Sequence, residues 1–243
     1  ALTSEGPFTV FAPTDEAFAA LPEGALDALV ADTEALSNVL LYHVVEGKVL
    51  AADVLELDGQ KVETLLGQFV DVAINGEMVM IDDAKVVITD IPASNGVIHV
   101  IDAVLLPETR TIAEIAAEDE NFSTLVGALQ QAGLVEALSG EDLLTVFAPT
   151  NDAFAALPAG ALDSLLADTE ALTSLLLFHV VDGKVMAADV LELDGQEVET
   201  LSGDKIMIKI DGETVMIGDA TVIITDIEAA NGVIHVIDAV LLP

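Results

Sequence analysis

The chain has 243 residues and carries 43 acidic against 7 basic side chains, for a formal net charge of -36. Because phosphate recognition needs clustered Lys and Arg, this charge excludes nucleic acid and anionic membrane surfaces as partners. Hydrophobic residues make up 53% of the chain and cysteine is absent, which excludes extensive disorder and a disulfide framework. The acidity suits either a solvated coat that keeps the chain soluble or a salt-rich, halophilic setting.

The first part of the chain predicts short helices followed by strands. An apolar stripe at helical spacing begins near Leu26, and a second helix opens near Asp32 and carries His43 on its apolar face. Farther along, Asn75-Gly76 lies between two alternating apolar runs, which is typical of a β-hairpin. Two more strands are predicted at Val86 to Thr89 and at Val97 to Leu106. Helices followed by an antiparallel sheet indicate the α+β class.

The middle of the chain predicts a further helical segment. Thr111 and Glu114 have the spacing of a capping box, and an apolar stripe that starts at Phe122 predicts an amphipathic helix ended by Gly133. Asn121 begins a glycosylation sequon but also stands just before the stripe, so we predict that it caps the helix. No uninterrupted apolar run in the chain approaches the ~18 residues that a membrane-spanning helix needs.

The chain contains one long internal repeat. Two strings occur twice at an offset of 136 positions (145 − 9 and 231 − 95): TVFAPT from Thr9 and Thr145, and NGVIHVIDAVLLP from Asn95 and Asn231. Aligned without a gap, residues 1–107 and 137–243 are identical at 76 of 107 positions. A repeat of this length is a whole domain, so we predict two tandem domains, 1–107 and 108–243.

The two predicted domains differ at their N-terminal ends. Residues 108–136 have no counterpart before Ala1. We therefore expect the first domain to be N-terminally incomplete, lacking the helices predicted in the second. Such a sequence is expected either from a longer array of repeats or from an ordinary fragment boundary, and both interpretations stay open.

The repeated motifs resemble those of the fasciclin domain family. The first hallmark of the family is similar to TVFAPTDEAF from Thr9 and TVFAPTNDAF from Thr145, and its second is similar to NGVIHVIDAVLLP in both copies. The resemblance covers essentially the whole chain. It implies an α+β fold, a wedge of twisted antiparallel β-sheet packed with several short helices, in two tandem copies. It also implies an extracellular, secreted or cell-surface protein with a role in cell adhesion or matrix assembly.

The same resemblance implies candidate partner-binding residues. In animal members of the family a Tyr-His pair and an Asp-Ile pair before the second hallmark are linked to integrin binding. The matching positions in the first copy are Tyr42, His43, Asp90 and Ile91, and those in the second copy are Phe178, His179, Asp226 and Ile227. Phe178 departs from the family pattern, so a role that needs the phenol is not expected in the second copy.

The sequence contains no pattern that predicts catalysis, a cofactor or a metal site. A zinc site needs three or four convergent ligands, and neither a His-x-x-x-His spacing nor a cysteine pair is present. A P-loop, a dinucleotide fingerprint and a Gly-x-Ser-x-Gly elbow are likewise missing. We expect His43 and His99 to be structural residues that hydrogen-bond internally. Calcium ligation by Asp71, Asp82 or Asp83 stays open, although solvated turn residues explain these carboxylates more simply.

Three functions are compatible with these features. The leading prediction is a non-enzymatic adhesion or scaffold module that contacts other proteins or glycans at the cell surface or in a matrix. The alternative is a structural subunit of a head-to-tail fibre or surface layer, in which copies of the chain are themselves the partners. Binding of a small hydrophobic or lipid ligand in the wedge is the third.

Overall fold

The computed structural model describes residues 5–76, 78–140, 142–212 and 214–243. The chain divides into two compact units, Ala1–Pro107 and Glu108–Pro243, which we call unit 1 and unit 2. Each unit is built on its own sheet of seven strands with several short helices. The α+β class predicted from the sequence is confirmed.

Unit 1 alternates short helices with strands. Its elements in chain order are β1 (Phe8–Pro13), α1 (Asp15–Ala19), α2 (Ala25–Ala31), α3 (Thr33–Tyr42), β2 (Val44–Glu46), α4 (Ala51–Val54), β3 (Lys61–Glu63), β4 (Phe69–Asn75), β5 (Met78–Ile81), β6 (Ala84–Ala93) and β7 (Gly96–Ile101). A 3₁₀ turn at Leu55–Leu57 follows α4.

Unit 2 opens with two helices and then repeats the same order. Its elements are α5 (Ile112–Glu118), α6 (Ser123–Ala132), β8 (Leu144–Pro149), α7 (Asn151–Ala155), α8 (Ala161–Ala167), α9 (Thr169–Phe178), β9 (Val180–Asp182), α10 (Ala187–Val190), β10 (Glu197–Glu199), β11 (Lys205–Asp211), β12 (Thr214–Ile217), β13 (Ala220–Ala229) and β14 (Gly232–Ile237). Three 3₁₀ turns lie at Glu120–Phe122, Ala137–Ser139 and Leu191–Leu193.

The two sheets have equivalent topologies. The order is β2-β1-β7-β6-β5-β4-β3 in unit 1 and β9-β8-β14-β13-β12-β11-β10 in unit 2. Neighbouring strands are antiparallel except for β1 with β7 and β8 with β14, which are parallel. The first and last strands of each repeat are therefore neighbours, because the chain returns to the centre of the sheet after the β3–β6 meander.

The Asn-Gly that opens the second hallmark allows this parallel pair to form. A Cβ atom on Gly96 would lie 2.0 Å from the carbonyl oxygen of Phe8, and one on Gly232 would lie 1.9 Å from that of Leu144. No side chain is compatible with so close a backbone approach. Glycine is thus required where β7 and β14 start beside the first strand of each repeat.

The local predictions for the helices hold with one exception. Thr111 and Glu114 form the capping box, and Gly133 ends α6 with φ of 68°. The prediction that Asn121 caps the following helix is wrong. Phe122 is the residue before α6 and makes no side-chain capping bond. Asn121 lies inside the preceding 3₁₀ turn, which Asp119 caps by accepting a hydrogen bond from the Asn121 N–H at 2.9 Å.

The predicted strands are also present, with changed ends. Asn75 pairs with Met78 across the hairpin of β4 and β5, as the Asn-Gly pattern predicted. The strand expected over Val97 to Leu106 already ends at Ile101. Asp102 leaves the sheet because its carboxylate accepts a hydrogen bond from Lys85 N–H at 2.7 Å, which turns the chain at that point.

Each unit has a hydrophobic core on one side of its sheet, and unit 2 has a second one. The shared core contains Phe11 and Ile101 in unit 1 and Phe147 and Ile237 in unit 2. The additional core of unit 2 lies between its sheet and the helices α5, α6, α7 and α9.

Among the described helices, none has the length and apolar character needed to cross a bilayer.

Candidate binding surface

Tyr42 lies inside unit 1. It ends α3 and is 6% exposed, and its hydroxyl donates to the carbonyl oxygen of Phe69 at 2.9 Å or to Oδ2 of Asp82 at 3.0 Å. The other oxygen of Asp82 accepts from the Asp71 N–H at 2.7 Å. Burial raises the pKa of Asp82, although these hydrogen bonds favour its charged form. The Tyr42 phenol therefore joins α3 to the β4–β5 side of the sheet.

His43 and its counterpart His179 connect the helix before them to the end of the repeat. Nδ1 of His43 donates to the carbonyl of Val39 at 2.7 Å, and Nε2 accepts from the Leu105 N–H at 3.0 Å. His179 makes the same contacts, with its two partners in unit 2 at 2.8 and 2.9 Å. Burial lowers the pKa of both residues, that of His179 to about 4. The two imidazoles are held neutral, and both ring nitrogens of each one are occupied by hydrogen bonds with the backbone.

The Asp-Ile pairs lie in the second half of the longest strand of each unit, β6 in unit 1 and β13 in unit 2. Asp90 has φ of 60° at an irregularity where the pairing register of β6 with β7 shifts between Ile88 and Ile91. Its carboxylate accepts from the Ala51 N–H at 2.9 Å, and its own N–H donates to Nδ1 of His99 at 3.3 Å. Asp is one of the residues that adopt this left-handed conformation most readily, and here the bond from the Ala51 N–H holds its side chain in place.

His99 is the buried residue that holds that turn in place. It is 2% exposed, its Nε2 donates to the carbonyl of Val49 at 2.8 Å, and its ring stacks on Phe11 with centroids 6.1 Å apart. The predicted structural role of His99 is confirmed. His235 repeats the arrangement beneath Asp226, and burial lowers its pKa. Each imidazole thus fixes the position of an Asp-Ile turn.

Exposed apolar side chains stand directly beside these turns. Val87 is 46% exposed, Ile88 is 54% exposed and Ile91 is 37% exposed, and they share β6 with Asp90. We call Val87, Ile88, Asp90 and Ile91 the β6 strip. The equivalent residues of unit 2, Ile223, Ile224, Asp226 and Ile227, form the β13 strip, in which Ile223 and Ile224 are 52% and 53% exposed. Val87 and Ile88 and their counterparts Ile223 and Ile224 are therefore exposed in both units, whereas Ile227 is half-buried against the second core of unit 2.

The structure separates the candidate residues into two sets. Tyr42, His43, Phe178 and His179 are buried, with at most 6% of their surface exposed. Asp90 and Ile91 are exposed, and Asp226 and Ile227 are half-buried. His43 bonds to Val39 and Leu105, whereas Asp90 bonds to Ala51 and His99, so the two pairs are held by different parts of the fold. Partner binding by all eight residues stays a prediction.

The apolar members of the strips were missed in the sequence. Val87, Ile88 and their counterparts read as ordinary strand residues, and only the register irregularity turns them outward. One difference between the two strips was visible in the sequence: position 92 is Pro, whereas the equivalent position 228 is Glu. Glu228 forms an ion pair with Lys184 at 2.7 Å, with the two side chains 13% and 9% exposed, which ties the β13 strip down. Pro92 cannot form that pair.

The described residues offer no catalytic arrangement built on histidine. All four imidazoles have both ring nitrogens within hydrogen-bond distance of backbone atoms. Groups of three or more His, Asp or Glu side chains able to hold a metal ion are absent from the described part of the chain. What the arrangement offers chemically is a pair of exposed apolar strips, each with one carboxylate.

Comparison with known proteins places this arrangement in a family. The profile of the Fasciclin domain matches residues 1–107 and 120–243. Protein sll1483 of Synechocystis sp. is 53% identical over 135 residues, which are 55% of this chain and 73% of that protein. The transforming growth factor-beta-induced protein ig-h3 of Sus scrofa is 37% identical over 247 residues, covering 98% of this chain and 35% of its own length.

Two further similarities extend over the whole chain. Human periostin is 32% identical over 247 residues, which cover 100% of this chain and 29% of periostin. The chain therefore spans about a third of the length of ig-h3 and of periostin. A solved FAS1 domain pair from the insect cell adhesion molecule fasciclin I covers 97% of this chain with a TM-score of 0.49 and 19% identity. The family predicted from the two hallmarks is confirmed: this chain belongs to the fasciclin domain family.

Proposed function

We propose that the chain is an extracellular adhesion or scaffold module that acts without catalysis, through contacts with other proteins or with glycans. An adhesion-related role is supported by the match to the Fasciclin domain and by the similarity to ig-h3 and periostin. The single observation that carries the proposal is the duplicated strip. Each unit presents two neighbouring exposed β-branched side chains beside an acidic turn, and adjoining exposed apolar side chains are typical of interaction sites.

Duplication gives the strips a function that neither has alone. A single strip of this size supports only a weak contact, because so small an apolar area barely offsets the entropy lost on association. Two strips on one chain bind a repetitive surface with a higher overall affinity than either strip alone, because binding of the first raises the effective concentration of the second. A matrix or a cell surface is repetitive in this sense, whereas a small soluble ligand is not.

The occupied histidines support the non-enzymatic part of the proposal. A general base needs a free ring nitrogen within reach of a substrate. Here the imidazoles orient backbone turns instead, and burial lowers the pKa of His43, His179 and His235. The charge of -36 adds a selection rule, because it disfavours acidic glycans and favours neutral or basic partner surfaces.

The experiment measures attachment of protein-coated beads. Beads carrying the chain and beads carrying albumin are applied to surfaces of collagen, laminin, and neutral or basic polysaccharide at several salt concentrations. Retention above the albumin level is expected on at least one surface. Ile88→Asp and Ile224→Asp each reduce it, and together they abolish it. Met207→Asp is the matched control, because Met207 is 50% exposed on β11 and the charge change is the same.

Retention equal to albumin on every surface would count against adhesion, and so would equal losses in the Met207→Asp control. The strips are exposed, so these substitutions leave the fold intact. Circular dichroism of each variant checks this point. Loss in only one single variant, with no further loss in the double variant, would contradict the role of avidity.

A structural role in a head-to-tail fibre is the second candidate. The segment that follows Pro107 is ordered: Glu108 accepts hydrogen bonds from the N–H groups of Thr109 and Arg110, and its carboxylate pairs with the Arg110 guanidinium. These hydrogen bonds lower the pKa of Glu108 to about 2. A short ordered connector suits a fibre because it restricts the motion of successive domains. Electron microscopy distinguishes the two: filaments favour this candidate, and dispersed particles favour the adhesion module.

A further inference from the structure

A cavity of about 460 Å³ opens beside strand β11 of unit 2. Its lining includes the buried apolar residues Phe178, Ile206 and Leu241. Two residues of β11, Lys205 and Met207, also line it. Its volume lies in the range of cavities that bind ligands. The cavity therefore joins an apolar surface to a stretch of strand.

In unit 1 two side chains bond to the backbone at the equivalent place. The Tyr42 hydroxyl donates to the carbonyl of Phe69 at 2.9 Å. The Asp82 carboxylate accepts from the Asp71 N–H at 2.7 Å. Unit 1 thus shows which groups this stretch of strand bonds to: a donor for one carbonyl, and an acceptor for the N–H two residues later.

Unit 2 keeps this backbone arrangement without either side chain. Phe178 stands in place of the tyrosine, and Gly218 in place of the aspartate. The Gly218 N–H donates to the carbonyl of Met207 at 2.8 Å, just as the equivalent N–H does in unit 1. The Lys205 carbonyl and the Met207 N–H correspond to the two groups that are bonded in unit 1. They have neither that hydroxyl nor that carboxylate as a partner.

These two groups lie on the same edge of β11, facing away from β10. The carbonyl of Asp204 accepts a hydrogen bond from the β10 side at 2.9 Å, and the Ile208 N–H donates to that side at 2.9 Å. Because bonding alternates along an antiparallel strand, the groups of Lys205 and Met207 point the other way. Strand β12 pairs with β11 only from Ile208 onward. The edge before Ile208 is therefore open to a further strand.

The openness of this face does not depend on where the chain ends. Leu242 is 63% exposed, and its counterpart Leu106, after which the chain continues into unit 2, is 55% exposed. Met207 is 50% exposed, and the side chain of its counterpart Asp71 is 63% exposed. What differs between the units at this edge is the pair of substitutions inside the repeat.

We propose that this edge of β11 binds an extended peptide segment with basic side chains, which continues the pairing of β11 beyond the end of β12. One residue of the segment donates its N–H to the Lys205 carbonyl, and its own carbonyl accepts from the Met207 N–H. This is the hydrogen-bond pattern of a parallel strand pair. The segment supplies the donor and the acceptor that Tyr42 and Asp82 supply in unit 1. The site goes beyond the adhesive strips, because it lies on β11 and not on β6 or β13.

The charge around the cavity selects a basic segment. Asp204 and Asp219 line the cavity together with Lys205, so carboxylates outnumber ammonium groups there. The net charge of -36 acts in the same direction over a longer range. A segment with lysine or arginine side chains is attracted by both, whereas an acidic segment is repelled by both.

The test uses the full chain and a short peptide of alternating lysine and valine, blocked at both ends. Titration calorimetry measures the affinity, and NMR of the isotope-labelled chain locates the peptide. Saturable binding is expected, with the largest shifts at the amide of Met207 and its neighbours on β11. The same peptide with methylated backbone nitrogens binds about fivefold more weakly or less, because it has no N–H for the Lys205 carbonyl. A peptide of alternating glutamate and valine shows no measurable binding.

Phe178→Tyr combined with Gly218→Asp closes the site, because it recreates the pair that bonds to the backbone in unit 1. Aspartate suits this position: φ of Gly218 is 57° and that of Asp82 is 50°. A Cβ atom on Gly218 would lie no closer than 3.5 Å to its neighbours. The affinity for the lysine–valine peptide falls about tenfold or more, because two backbone groups are no longer available.

Asp204→Asn tests the charge, and Asp211→Asn is its matched control. Asp204 lines the cavity, so its neutralisation weakens binding by about twofold. Asp211 lies at the far end of β11, about 13 Å along the strand from Met207. That distance exceeds the screening length of ~8 Å at physiological salt, so the control leaves the affinity unchanged.

Absence of saturable binding overturns the proposal, and so does equal affinity for the methylated peptide. The comparison of the two peptides needs no variant, so it stands even where the double variant fails to fold. Shifts centred on the β13 strip instead of β11 also overturn the proposal. The bead assay succeeds or fails independently, because it depends on Ile88 and Ile224.

Discussion

The two units put nearly the same sequence in two different environments. Helix α3 of unit 1 and helix α9 of unit 2 have the same length and register, and both carry leucine at the position of Leu40 and Leu176. One of these leucines is 58% exposed and the other is 3% exposed. The difference lies in α6, which packs on α9 in unit 2, and in α5, which packs on α6 and belongs to the same core. The comparison shows that a core position is defined by what packs on it and not by its own helix.

A second difference is a paired substitution inside the shared core. Tyr42 and Asp82 hydrogen-bond in unit 1, and their counterparts are Phe178 and Gly218. The hydroxyl and the carboxylate are therefore present together or absent together. A buried phenol without its acceptor costs free energy, and so does a half-buried carboxylate without its donor. The comparison indicates that the tyrosine and the aspartate are exchanged together and not one at a time.

The largest expected effect tests the difference in burial. Leu176→Ala lowers the free energy of unfolding of unit 2 by about 3 kcal/mol, because it leaves a cavity in the core below α5 and α6. Leu40→Ala changes that of unit 1 by less than about 0.5 kcal/mol, because most of this side chain is already in water. Urea unfolding followed by hydrogen exchange and mass spectrometry reads the two units separately.

The internal control for this pair is the fluorescence of Tyr42. The chain has one tyrosine and no tryptophan, so this signal reports on unit 1 alone. It should shift little in Leu40→Ala and should report no change of unit 1 in Leu176→Ala. Equal destabilisation by the two substitutions would break the comparison.

The next effect concerns the pH dependence of unit 2. Burial lowers the pKa of His179 from 6.5 to about 4, so the folded unit keeps this imidazole neutral while the unfolded chain takes up a proton. The unfolded state binds more protons between these two values, and stability is therefore lost as pH falls through them. From about pH 7 to about pH 5 the loss from this one residue is about 2 kcal/mol.

His179→Asn isolates the contribution of the imidazole. The variant is less stable at pH 7, because the hydrogen bonds with Leu175 and Leu241 change, but its stability depends less on pH over the same range. Urea titrations of both proteins at several pH values measure the slope. Identical slopes in the variant and the parent chain would show that His179 is not the titrating group.

The smallest effect tests the paired substitution. Tyr42→Phe lowers the stability of unit 1 by about 1 kcal/mol, because it removes the hydroxyl that donates to Phe69 and Asp82. Asp82→Gly in the same chain recovers part of this loss, since it recreates the combination found at Phe178 and Gly218. A double-mutant cycle on the midpoint of urea unfolding measures the coupling between the two positions. A coupling of zero would mean that they are independent.

Much of the fold could be predicted from local patterns. Thr111 and Glu114, Gly133 and the Asn75-Gly76 hairpin each carry their structural meaning within a few residues, and each is present as predicted. The Asn121 prediction failed although it rested on the same kind of rule. A 3₁₀ turn over Glu120–Phe122, capped by Asp119, comes before α6 and takes Asn121 into it, and the apolar stripe did not show where that turn ends and the helix begins.

The candidate site was less accessible from sequence. The motifs pointed to Asp90 and Ile91, which the structure exposes, and to Tyr42 and His43, which it buries. Helical periodicity placed His43 on an apolar face correctly but could not show that Leu105, 62 residues later, would donate to its ring. The exposed Val87 and Ile88 depend on a change of strand register, which leaves no local pattern in the sequence.

The sequence by itself determined the duplication, the α+β class and the family, because these are carried by strings of residues and by their constant offset. The tertiary structure alone decided which identical residues are inside and which are outside. Burial is a property of pairs of distant elements, as Leu40 and Leu176 show, and a pattern within one element does not contain it. The strips on β6 and β13 follow from that same physical fact.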